Sequence, residues 1–148
     1  MVSIKEMGRL IKSFLQSNEY YRGIHFELYE DRHYVSYISD ELNGIFLRGF
    51  GGDYESNITF RYSEIGLQME VYLSNNKARR VGANLIPVIR EEMMGENIVS
   101  LSTTRFIPGQ SSMTFTLTLP INSNTDPRTA ISILGNLTAC IAFALAKY

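Results

Sequence analysis

The stretch "NITFRYSEIGLQMEVYL", Asn57–Leu73, decides the fold. Ile58, Phe60 and Tyr62 share one parity, Leu67, Met69, Val71 and Leu73 share one as well, and "SEIG" separates the two runs. Strict alternation is the period of a half-buried strand, and a short break containing glycine marks a hairpin. One face of this hairpin is therefore apolar, and Thr59, Arg61, Gln68 and Glu70 form a wet face on the other. An apolar sheet face must be covered, and helices are the expected cover.

Upstream, Ile24, Phe26 and Leu28 alternate with His25, Glu27 and Tyr29, and "EDRH" turns into Tyr34–Ile38. This is a second hairpin. With Asp31 and Arg32 as its loop, Leu28 pairs with Val35 and Phe26 with Tyr37, which gathers four apolar residues on one face and points His25 the other way. Ile45, Phe46 and Leu47 read as an additional short strand. The glycine-rich "LRGFGGDYES" that follows, Leu47–Ser56, lacks both the helix and the Lys followed by Ser or Thr that a phosphate cradle uses. It leads into a strand instead and is read as an exposed, mobile connection, with Phe50 and Tyr54 as candidate partner contacts. Downstream, strand signals run through Ile98–Phe106, turn at Pro108 and Gly109, and resume at Met113–Leu119, where Thr114, Thr116 and Thr118 mark a water-facing side.

Three segments change to helical spacing. Near the N-terminus Ile4, Met7, Ile11 and Phe14 recur along one face, widened by Leu10 and Leu15, and Ser3 with Glu6 has the capping-box pattern. Lys5, Arg9, Lys12 and Gln16 fall on the water side, and Ser17 and Asn18 supply the stop. A middle helix runs through Ala78, Val81, Leu85 and Val88 to Gly95, broken near Ile86 by Pro87. The last starts with Asp126 as N-cap and Pro127 at the first helical position and continues to Lys147. The expected architecture is one α+β domain over 1–148, an antiparallel sheet with an N-terminal, a middle and a long C-terminal helix packed on it, in the order α-β-β-(β)-β-β-α-β-β-α.

A chain of 148 residues is long enough to bury about two-thirds of its unfolded surface in one core. Its formal net charge of -1 leaves no basic footprint for nucleic acid. Cys140 is the single cysteine, so no intrachain disulfide can form, and a reducing cytoplasm fits. The N-terminal segment is broken by Lys5, Glu6, Arg9 and Lys12, unlike a secretory signal. No charge falls between Arg128 and Lys147, but Thr129, Ser132, Asn136 and Thr138 dilute that helix, and it is read as buried rather than as a membrane span.

Catalytic candidates are few. His25 and His33 lie on opposite arms of one hairpin without a third ligand, so no metal site is expected. Glu27, Glu30 and Asp31 cluster at the same turn as solvated charge. Cys140 is read as an inert, packed thiol rather than a nucleophile. No serine has the nucleophile-elbow context, and no cofactor motif is present. The competing reading is a small-molecule-binding enzyme that uses His25, His33, Glu27 and Asp31 beside the glycine loop.

The order of elements resembles that of the YbjN-like proteins and the type III secretion chaperones, most usefully over "NKARRVGANLIPVIREEMMGENIVSLSTTRF", "SSMTFTLTLPI" and the last helix. The resemblance implies a non-enzymatic, often dimeric protein that holds a polypeptide partner. Nine tyrosines and eight phenylalanines, many on strands, supply amphipathic surface suited to recognition. On the C-terminal helix Leu134, Leu137, Ile141 and Leu145 form a core-facing stripe, which leaves Ile133, Cys140, Phe143 and Ala144 as the expected interface of a homodimer.

Overall fold

Ser3 starts the first helix as expected: its Oγ accepts a hydrogen bond from the backbone N–H of Glu6 at 3.1 Å, and the helix α1 runs Ile4–Ser17 to a cap at Asn18. In this computed structural model the described residues are 2–40, 56–74, 87, 90–91, 99–103 and 112–145. Among the described residues six strands follow α1: β1 Glu27–Glu30, β2 Tyr34–Ser39, β3 Ser56–Ser63, β4 Gly66–Ser74, β5 Ser100–Thr103 and β6 Ser112–Leu119. A second long helix, α2, spans Pro127–Leu145. Asp126 caps it, with Oδ1 accepting from the Arg128 N–H and Oδ2 from the Thr129 hydroxyl at 2.7 Å. Of the expected middle helix, Pro87, Arg90 and Glu91 are helical; the remainder lies outside the described residues, as do Ile45–Leu47, the glycine loop and the Pro108-Gly109 turn.

The strands form one antiparallel sheet in the order β1-β2-β3-β4-β6-β5. The fold is thus α+β, as the alternation at Asn57–Leu73 implies. In that hairpin Ile58 faces Val71, Phe60 faces Met69 and Tyr62 faces Leu67, and all six are buried. The first hairpin differs from its expected register. Leu28 pairs with Tyr37 and Glu30 with Val35, so the loop is Arg32-His33 rather than Asp31-Arg32. The cause is Asp31, whose Oδ1 accepts from the N–H groups of His33 at 2.7 Å and Tyr34 at 3.1 Å.

The core lies between the two helices and one sheet face. α1 rests on β2 and β3, and α2 rests on β4 and β6. Met7, Ile11 and Leu15 meet Val35, Ile58 and Phe60, while Ala130, Ile131, Leu134 and Leu137 complete the layer from α2. Three tyrosines join the layers through their hydroxyls. Tyr62 donates to the carbonyl of Val2 at 2.8 Å, Tyr37 to that of Gly8 at 2.9 Å and Tyr21 to that of Gly135 at 2.6 Å. Tyr62 and Tyr37 thus tie α1 and its approach to the sheet, and Tyr21, in the turn after α1, ties that turn to α2.

Two expectations about exposure are corrected. Thr59, expected on the wet face, is buried, and Cys140, expected to be packed, is exposed. Among the described residues no helix is long and apolar enough to cross a membrane.

Candidate functional site

β1 forms one edge of the sheet, and all four of its residues are exposed. Leu28 and Tyr29 project to opposite faces, yet each keeps about half its surface in water, 51% and 52%. Leu28 stays in water because α1 packs on β2 and β3 and stops short of β1, and Tyr29 does so because it lies on the face opposite the helices. The Asp31 N–H donates to the Tyr34 carbonyl at 3.0 Å. Antiparallel alternation from that bond turns the backbone N–H and C=O of Leu28 and Glu30 away from β2. Among the described residues no strand pairs with this outer edge.

A groove of about 370 Å³ runs beside the edge on its helix side, between α1 and the segment entering β1. Leu15, Ile24, Phe26 and Tyr37 give it an apolar floor, and Lys12, Arg22 and His25 stand along its rim. Burial raises the Tyr37 hydroxyl above its ordinary pKa, and the neighbouring Glu30 carboxylate adds to the shift, so this tyrosine remains a neutral donor. Among the described residues the site therefore combines an unpaired strand edge, an apolar floor and a rim that carries the cations Lys12 and Arg22.

On the opposite sheet face one side chain per strand forms a row: Tyr29, Ser36, Arg61, Gln68, Thr118 and Ser100. Hydrogen bonds join parts of it. Arg61 Nε donates to Ser36 Oγ at 2.9 Å, and Gln68 Nε2 donates to Thr118 Oγ1 at 3.1 Å. At the end of the sheet formed by the β1–β2 and β3–β4 turns, a wider cleft of about 770 Å³ is lined by Arg61, Gln68 and Tyr34, together with Arg32, His33 and the first residues of α1.

The two histidines that the competing enzyme reading joins line different hollows, His25 the groove and His33 the cleft. His25 Nε2 lies 3.3 Å from Glu27 Oε1, with both side chains about two-thirds exposed. Asp31 is engaged in its turn. Among the described residues no three His, Cys, Asp or Glu side chains group to hold a metal. Ile133 is half-buried and packs against the core, and Cys140 is exposed. Phe50 and Tyr54 lie outside the described residues, as do the side chains of Phe143 and Ala144. Sequence reading passed over Arg61, although its directly opposed partner in the hairpin, Gln68, offers no charge. Glu70, one row away, accepts instead from Thr116 at 3.5 Å. Compared with protein-family models, curated proteins and solved structures, the chain matches none.

Proposed function

We propose that the protein is a non-enzymatic binder of extended polypeptide, which it takes up as an added strand along β1. The observation that supports this reading is the exposed edge Glu27–Glu30, with Leu28 left in water beside the apolar-floored groove. An unpaired edge is a template for main-chain hydrogen bonding, and an adjoining pocket gives such binding its side-chain preference. The groove's cationic rim favours a segment that carries an apolar residue flanked by acidic ones. The type of partner agrees with the one implied by the resemblance to secretion chaperones. A homodimer through α2 and a cytoplasmic setting belong to the same proposal.

Leu28→Pro tests it. Proline removes the outward N–H and the exposed side chain while leaving β2's pairing bonds in place, and edge strands tolerate it. Peptides selected from a phage-displayed library on the unmodified protein should be enriched in short alternating apolar sequences and should lose binding to Leu28→Pro. Selected peptides that bind both proteins equally, or a selection with no enrichment over a blank surface, would remove this reading.

A further inference from the structure

The cleft at the turn end of the sheet holds a cation, Arg61, that has no counter-ion among the described residues. Arg61 is half-buried on the sheet face, its Nε is engaged by Ser36 Oγ at 2.9 Å, and its guanidinium carbon lies 5.9 Å from the centroid of the Tyr34 ring. Those contacts orient the planar group and leave its two terminal nitrogens with no acceptor among the described residues. A partly desolvated guanidinium is stabilised by a carboxylate or phosphate, which it can engage through two parallel hydrogen bonds. Glu64 is the one carboxylate among the cleft's lining residues, and it is exposed on the β3–β4 turn with no ion pair to Arg61. Arg32 adds a second cation from the β1–β2 turn, and Ser3 and Ile4 bring the positive end of α1 to the wall. Val2, Ile4 and Ile65 add apolar surface to a lining that also includes His33, Ser63 and Gln68, and Ile65 is 62% exposed.

We propose that this cleft binds a small organic anion, a carboxylate or phosphate ester carried on an apolar body, with Arg61 as its principal anchor. The anionic group pairs with the Arg61 fork, Gln68 stands beside it as a neutral donor held by Thr118, and the apolar part lies against Ile4, Ile65 and the Tyr34 ring. Arg32 contributes long-range attraction from the rim. The site uses the face and end of the sheet away from the β1 groove, so it does not rest on the polypeptide reading.

The test is an amide and Arg Nε NMR titration of the full chain with phenyl phosphate, benzoate and, as the neutral counterpart, benzyl alcohol. The two anions should shift the Arg61 Nε–H signal and the amides of Ile4, Tyr34 and Ile65, with affinity that falls as salt is added; benzyl alcohol should produce much smaller shifts. Arg61→Gln should weaken phenyl phosphate binding at least about tenfold, the loss of one charge-assisted pair. Arg32→Gln changes only an exposed turn residue and cannot act through misfolding, and it should weaken binding by a smaller factor. Absence of shifts at these residues with both anions, equal binding by benzyl alcohol, or unchanged affinity in both variants would overturn the proposal. Failure of the phage selection would leave these results untouched.

Discussion

Tyr21 concentrates the physics of the core in one side chain. Its ring packs near Phe14 and Phe26, with centroids 5.8 and 6.4 Å away, and its hydroxyl donates to the Gly135 carbonyl at 2.6 Å. Burial pushes its pKa far above the ordinary value near 10, and the neighbouring Cys140 adds to the rise. Tyr37 and Tyr62 are raised in the same direction, also chiefly by burial. The sign for stability follows from which state loses the proton. Below about pH 10 these tyrosines are neutral in both folded and unfolded chains, and their contribution is fully present. Above that pH the unfolded chain ionises while the folded chain resists, so stability falls, by up to about 1.4 kcal/mol per pH unit for Tyr21. Tyr21→Phe removes one hydrogen bond from the Gly135 carbonyl, which lies inside α2, and should cost about 0.5–1.5 kcal/mol near neutral pH. It should also make the alkaline decline shallower than in the unmodified protein. Urea denaturation at neutral pH and at two values above 10 measures both effects, and parallel alkaline declines in the two proteins would show that Tyr21 is not the group responsible.

Hairpins are the elements from which this fold is built, and the two best described differ in how far the sequence determines them. In β3–β4 the loop between Ser63 and Gly66 is closed by a glycine at φ 126°, where a Cβ would also meet the Leu119 carbonyl oxygen at 2.6 Å. Gly66→Ala should therefore cost about 1–3 kcal/mol in backbone strain, with displacement of the end of β6 added. At Gly135 in α2 a Cβ would meet the Phe14 ring carbons, but a ring edge can swing, and alanine favours the helix by about 1 kcal/mol. Gly66→Ala should lower the urea midpoint more than Gly135→Ala, and the reverse order would refute the assignment of strain to the turn. The β1–β2 hairpin shows where reading stops. Its loop can shift so that each residue's partner changes by two positions without changing which face any side chain occupies, so the apolar pattern cannot choose between registers. The Asp31 side chain chooses, by capping two N–H groups of the following turn. Leu28 was legible as a core-face residue, but its exposure depends on how far α1 extends across the sheet, which no local pattern encodes. Arg61's place in a row with Tyr29, Thr118 and Ser100 depends in turn on β6 inserting beside β4, a non-consecutive pairing.

Among the described residues the two long helices occupy one sheet face, and besides the cleft at the turn end two surfaces stand open to macromolecular partners: the β1 edge with its groove, and the outward side of α2. Exposed Asn136 and Cys140 lie on that side, and Phe143 stands three residues after Cys140 in the same helix. Asn136 is tied to Asn18 at the end of α1 by a hydrogen bond of 3.1 Å, so the outward side of α2 is set in a fixed orientation beside α1. A dimer through α2 leaves both β1 edges open for polypeptide, whereas a dimer in which β1 pairs with β1 of a second copy closes them. The two arrangements therefore make opposite statements about the binding site. We expect self-association through α2, and sedimentation equilibrium at micromolar concentration to give a dimer mass for the unmodified protein and for Leu28→Pro alike. Phe143→Asp should shift both towards monomer, since burying one phenylalanine at an interface contributes about 1.5–3 kcal/mol. A monomer mass for the unmodified protein ends the dimer proposal and leaves the peptide site standing. A dimer that Leu28→Pro dissolves places the interface on the edge strand, and the protein's own second copy then becomes the strand that β1 receives.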